Sequence, residues 1–350
     1  MRKILILGGG RIGKIAFHTL KEKSYDVRIL DKAPLAECKS ASVTIDLFNE
    51  EKVDNFIQSF HPEAIVNCLP FDASKKPAEY ALKHRTHYFD VTEDIGTGRL
   101  IKALAQGSHR AFVPHCGLAP GIISIISTSL IKEFDSVSSL YAKCGVLPLY
   151  SNNSLKYGIT WSVDGLVNQY CNKCLIVENH VIKEVDALEN AETFIFDGVE
   201  YESFNTSGGI GTFVESFATK ISNISYQTIR YPGHRHLMYF LLHELGCINH
   251  RNFLTELLKN QLPIIREDMT LISITARGIL DGKPLERSYI KKFYAQTMAG
   301  EHVTSLEATT VGSLCAIISE VFSHPDKYKG FIKQEDFALA SIRSHTTVNF

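Results

Sequence analysis

Short apolar runs alternate with stretches of helical period over the first third of the chain. The runs at 3–7, 26–30, 42–45, 64–68, 87–91 and 111–114 have strand length. Between them, 12–23, 50–60, 74–85 and 98–106 carry apolar residues at three- and four-residue spacing and predict helices. Continuous apolar strands separated by helices predict a parallel sheet covered on both faces, and so an α/β fold.

The pattern changes further along. Strand-like runs at 271–280 and 285–294 flank Asp281-Gly282-Lys283-Pro284, a hairpin signal. Helical patches at 121–133, 164–170, 211–220 and 234–245 accompany them. This predicts a second, α+β domain containing an antiparallel sheet. An amphipathic stretch at 311–322 is expected to return to the first domain. With no repeat or low-complexity linker between them, the two are expected to share an extensive interface.

Composition narrows the class. At 350 residues and 45% hydrophobic, the chain is long enough for two cores. Lys+Arg of 37 against Asp+Glu of 38 gives no electrostatic reason to expect nucleic acid or a membrane as partner. The first apolar run is too short for a signal-peptide core, and no later run reaches eighteen apolar residues, so a soluble, cytoplasmic protein is expected. The eight cysteines are scattered, which favours reduced thiols. Cys171 and Cys174 form a lone CxxC through which the helical pattern runs. His234, His236, His243 and His250 match no compact ligand template, and no metal is expected.

Chemistry enters at Gly8-Gly9-Gly10-Arg11-Ile12-Gly13, a GxGxxG match between a buried-type strand and a helix. Gly8 permits the tight turn, Gly10 lets backbone approach a pyrophosphate, and Gly13 lets helix and strand pack closely. The helix start at Arg11 and Ile12 adds free N–H groups and a favourable dipole. Asp31 ends the second strand, where a carboxylate accepts from ribose hydroxyls and repels an extra phosphate. NAD is therefore favoured, with NADP possible because Arg11 and Lys32 are nearby cations. Asp46 suits an adenine-edge contact or, equally, a cap or loop acid. Cys68, Leu69 and Pro70 follow the fourth strand, where the cofactor would cross the sheet edge.

Six segments then occur in one order: VNCLP (66–70), HYFDVTED (87–94), CGLAPG (116–121), ITWSVDGL (159–166), FNTSGGIGT (204–212) and TIRYPGH (228–234). In this the chain resembles the saccharopine dehydrogenase superfamily, and most its lysine 6-dehydrogenase branch. The resemblance implies a Rossmann domain at 1–118, a catalytic and oligomerisation domain at 119–308, and a segment at 309–350 returning to the first. It implies NAD(P)-dependent oxidation, or the reverse reduction, at an amine-bearing carbon of a small amino-acid substrate, in a homodimer or homotetramer. By the same resemblance Thr92 and Glu93 lie in the loop touching substrate and nicotinamide. Gly117 and Leu118 border the nicotinamide, and Arg230 holds the substrate α-carboxylate through its planar fork.

Two departures bear on the substrate. Saccharopine-handling members carry an acid where this chain has Ala119, and an arginine where it has Asp164. An acid at 164 suits a distal ammonium, as in lysine, better than a second carboxylate; helix capping is the plainer role for it. The alternatives are a reductase of the saccharopine or carboxynorspermidine type, and a non-catalytic NAD-binding protein. Glu93, His115 and His234 are the candidate proton acceptors, with Tyr157 and Tyr231 as lesser relays. Each has a plainer role: loop acid for Glu93, core-edge residue for His115, helix cap for His234.

Overall fold

The first apolar run forms β1 (Lys3–Leu7), and the glycine turn leads into α1 (Arg11–Glu22). The computed structural model describes residues 1–38 and 40–350. The alternation continues through β2 (Asp26–Asp31), β3 (Ser42–Thr44), α2 (Glu50–Phe60) and β4 (Ala64–Asn67). It ends with α3 (Lys75–Lys83), β5 (His87–Asp90), α4 (Ile95–Leu104) and β6 (Ala111–Val113). These strands are parallel, in the order β6-β5-β4-β1-β2-β3. β4 and β5 are buried along their whole length, so the continuous apolar runs reflect helices on both faces. The strand order reverses at β1, between β2 and β4, the point where such sheets bind ligands beyond their carboxyl ends.

By internal packing the described residues fall into two units. One comprises Met1–Ile122, Thr297–His302 and Glu307–Phe350; the other comprises Ile123–Gln296 and Val303–Leu306.

After α5 (Ile122–Ile131), the second unit is organised on β7 (Ser136–Pro148). It continues with α6 (Val163–Cys171), β8 (Cys174–Glu178), β9 (Val181–Val185), β10 (Glu192–Phe196), β11 (Val199–Asn205) and α7 (Phe213–Phe217). Then come β12 (Asn223–Arg230), α8 (His234–Tyr239), α9 (Arg251–Gln261), β13 (Asp268–Leu280) and β14 (Lys283–Tyr294). The sheet runs β10-β11-β12-β7-β13-β14, with β8 pairing β12 and β9. It is mixed, because β12 runs parallel to β7 while the other pairs are antiparallel. The β13–β14 hairpin turns at Asp281 and Gly282, with φ of 50° and 71°; the second favours glycine.

The ribbon of β15 (Gln296–Met298) and β16 (Glu301–Val303) precedes α10 (Ser305–Ser323), β17 (Gly330–Phe331) and α11 (Leu339–Ser344). β17 pairs in parallel with β6 and makes the first sheet seven-stranded. The stretch at 311–322 is not amphipathic in its setting: α10 is long and apolar enough to cross a membrane, and 94% of that window is buried within the protein. The helical pattern does not run through the CxxC either. α6 stops at Cys171 and Cys174 opens β8, and both are free thiols. The predicted helix at 234–245 is α-helical to Tyr239 and then widens into one π turn at Phe240–Glu244.

Candidate functional site

In the first unit, β1 delivers the chain to Gly8, whose φ of +101° lies in the region that favours glycine. A Cβ on Gly8 would lie 3.0–3.1 Å from Leu69 and the Cys68 backbone, so the turns after β1 and β4 meet at the switch point. A Cβ on Gly13 would sit 1.9 Å from the Gly8 carbonyl oxygen, whereas one on Gly10 would meet nothing within 4 Å. α1 starts at Gly10 without a side-chain cap. Its first N–H groups, at Arg11 and Ile12, thus fit a pyrophosphate without competition from a side chain. Pro70 is exposed, and Leu69 is fixed by its N–H donating to Asn67 Oδ1 at 3.1 Å.

Asp31 is tied into the same turn. Its Oδ2 accepts the Gly9 N–H at 2.6 Å and its Oδ1 the Ala33 N–H at 2.9 Å. Each oxygen keeps a second lone pair for a ribose hydroxyl. Arg11 does not relieve the charge of Asp31, because its guanidinium is held by the buried carboxylate of Glu307, with Nη2 to Oε2 at 2.6 Å. Asp46 is exposed and turns its Oδ1 back to the Phe48 N–H at 3.0 Å, the loop role expected as its alternative.

A buried network fixes the next loops. Asp90, at the end of β5, accepts from the Tyr88 hydroxyl at 2.8 Å, the Thr92 N–H at 3.0 Å and the His115 N–H at 2.9 Å. Burial still holds its carboxyl above the usual range, against the opposing charge of His115. Tyr88 is also reached by Asn67 Nδ2, at 3.4 Å. One acid thereby sets the turn carrying Thr92 and Glu93 and the entry to Cys116-Gly117-Leu118. Gly117 is bridged to Gly121, where a Cβ would lie 1.9 Å from the Gly117 oxygen, and Leu118 is buried. Asp90 stands within HYFDVTED but is not among the candidate residues named from the sequence; the signal that marks it is an acid closing a buried strand.

His115 has a packing environment. Its Nδ1 lies 2.8 Å from the Thr92 carbonyl, and a Cβ on Gly98 would lie 2.4 Å from its Nε2. Glu93 is different. The residue is partly buried, and loss of water, with the nearby Asp94 and Asp90 charges, lifts its carboxyl to about 7. A carboxyl poised there suits a general base.

In the second unit, Arg230 ends β12 with 4% of its surface exposed. Its Nε donates to the Tyr170 hydroxyl at 3.0 Å and its Nη1 to the Ile229 carbonyl at 2.9 Å. The guanidinium lies 5.0 Å from the Tyr157 ring and 6.0 Å from that of Tyr170. Among the described residues no carboxylate lies within ion-pair distance of it. The side chain of Glu202, opposite it in register, is turned to the Gly233 and Arg235 N–H groups. An isolated buried cation costs on the order of several kcal/mol, so this geometry suits an incoming anion. His234 is buried beside it, with Nδ1 2.9 Å from the Leu155 carbonyl and Nε2 3.0 Å from the Tyr170 hydroxyl. Loss of water first, then the Arg230 charge, lowers its imidazole to about 3. Tyr231 is bonded through its hydroxyl to the Pro148 carbonyl at 3.1 Å.

Asp164 is not part of this cluster. Ser162 caps α6, accepting the Gly165 N–H at 3.2 Å, and Asp164 is exposed and paired with Lys259 of α9 at 3.0 Å. Tyr170, six residues on, occupies the buried face of the helix. Asp164→Asn is therefore expected to leave substrate KM within about twofold and to cost at most about 1 kcal/mol, the scale of an exposed pair. Steady-state kinetics and a melting curve check both.

Comparison with known proteins supplies the lineage. Residues 117–343 match the Saccharopine dehydrogenase C-terminal domain, and residues 4–113 match the NAD dependent epimerase/dehydratase family. The chain is 23% identical over 310 residues to saccharopine dehydrogenase [NADP(+), L-glutamate-forming] of Schizosaccharomyces pombe, covering 83% of this chain and 67% of that one. It shares its fold with the apo saccharopine dehydrogenase (L-Glu forming) of Saccharomyces cerevisiae, at a TM-score of 0.78 and 14% identity over 98% of this chain and 96% of that one. A DAP dehydrogenase from C. glutamicum, solved in complex with DAP, is more distant, at 0.52 and 9% over 97% and 95%. With the glycine turn, the Asp31 carboxylate and a family match over most of the chain, this protein belongs to the saccharopine dehydrogenase family, as an NAD(P)-dependent oxidoreductase.

Proposed function

We propose that the protein oxidises the amine-bearing carbon of a lysine-like amino acid, as a lysine 6-dehydrogenase does, with NAD as the favoured acceptor. The observation that carries this is Arg230, a buried guanidinium with no acid partner among the described residues and a shape suited to one α-carboxylate. Asp31 supports NAD, because its charge disfavours a 2′-phosphate and Arg11 is engaged by Glu307.

The nicotinamide, when bound, supplies the hydride acceptor. The chain's own residues do the rest. Arg230 holds the carboxylate. Glu93, ionised above about pH 7, takes the proton that the amine must lose. Loss of a hydride from carbon and a proton from nitrogen leaves a C=N bond, which water then hydrolyses to a carbonyl and ammonia.

A second reading is oxidation of a saccharopine-type adduct, favoured by the Schizosaccharomyces pombe relative and by the turning of Asp164 toward Lys259. Such an adduct carries three carboxylates, whereas Arg230 offers one fork. A substrate panel with both cofactors separates the two. Reduced cofactor forming with lysine or another diamino acid supports the first reading. Turnover only with the adduct would replace it with the second, and binding of nucleotide without turnover of either would exclude both.

A further inference from the structure

We propose that Tyr170 and His234 are positioning residues that hold the Arg230 guanidinium by its Nε edge and so aim its far edge at a substrate carboxylate. The inference rests on the reading of Arg230 as the carboxylate site. The direction of each hydrogen bond follows from the end of the chain. The Leu155 carbonyl can only accept, so His234 Nδ1, 2.9 Å away, carries the proton. A neutral imidazole then offers only a lone pair at Nε2, and the Tyr170 hydroxyl, 3.0 Å away, donates its hydrogen to it. The Tyr170 oxygen is left with lone pairs alone and accepts the Arg230 Nε–H at 3.0 Å.

With Nε committed to Tyr170 and one Nη1 hydrogen to Ile229, an N–H is left on each of Nη1 and Nη2, the pair a carboxylate bridges. The rings hold the relay in place. Phe204 stacks on His234 with centroids 6.4 Å apart and planes 7° apart, and Tyr157 lies 5.0 Å from the guanidinium. Burial keeps His234 neutral, which the direction of the relay requires: an imidazolium would turn Nε2 into a donor and leave the Tyr170 hydrogen without an acceptor.

The test is Tyr170→Phe, which keeps the ring and removes the acceptor. KM for the amino acid that turns over in the panel should rise about tenfold, equivalent to about 1.4 kcal/mol, with kcat within about twofold. KM for the same molecule without its α-carboxylate (for L-lysine, 1,5-diaminopentane) should not change. An equal rise for both molecules, or none for either, would overturn the proposal. His234→Gln, which keeps an acceptor, should be milder than His234→Leu, which does not; equal effects would also overturn it. Arg230→Met run in parallel separates the two levels. If it fails to distinguish amino acid from amine, the carboxylate reading falls. If it distinguishes them and Tyr170→Phe does not, only the positioning role falls.

Discussion

Replacing Arg230 by methionine is expected to lower kcat/KM for the amino-acid substrate by about 10²–10⁴-fold, because each charge-assisted hydrogen bond is worth about 1.5–3 kcal/mol and a bridged carboxylate loses two. The loss should appear mainly in KM, since the carboxylate is held alike in ground and transition states. Stability should move the other way. A buried guanidinium without an acid partner is replaced by an apolar chain of similar length, a change that is often neutral or stabilising. Thermal unfolding and initial rates on one preparation should therefore diverge, with the rate falling and the melting temperature holding or rising. Arg230→Met that melted well below the parent would show a structural role instead. Arg230→Lys should recover little, because an ammonium lacks the fork.

Glu93→Gln is expected to lower kcat by about 10²–10⁴-fold, the range a positioned general base contributes. The pH dependence tests the assignment more sharply. The carboxyl of Glu93 ionises at about 7, above its ordinary range, so in the parent kcat/KM should rise with pH through that value as the basic form appears. The glutamine variant should lose this limb and leave a flat profile across it. A limb at the same pH in the variant would move the proton to another group. His234 is not that group, because burial puts its imidazole at about 3 and its Nε2 faces the Tyr170 hydroxyl.

The parallel sheet was legible because its strands are buried on both faces and so are written as continuous apolar runs. Much of the second unit was not. β9 is exposed almost throughout and has no buried apolar face to reveal it, and β10 offers only Phe194 and Phe196, two partly buried residues on one face of a five-residue strand. β7 was missed because Ser138 and Ser139 stand side by side, the first exposed and the second buried, and so break the alternation at that end. Candidate residues followed the same rule. The glycine turn and Asp31 have roles set by backbone geometry at fixed spacing, which a sequence displays. Asp164 looked like a residue of the substrate cluster because its charge was visible and its helix face was not. Tyr170 was overlooked for the opposite reason: it continues the Val163–Leu166–Val167 stripe and reads as core. Its hydroxyl matters only because β12 brings Arg230 beneath it.

The two-residue strand β17 has a consequence for the order in which the chain is made. It covers the outer edge of β6, yet more than two hundred residues are synthesised between the two. Until they emerge from the ribosome, β6 is an open edge with unpaired backbone groups, the kind of surface on which nascent chains join wrongly. α10, most of which is buried in the finished protein, is missing over the same interval. The strands β1 to β6 of the nucleotide fold are thus synthesised before the second unit, and their sheet is completed only after it.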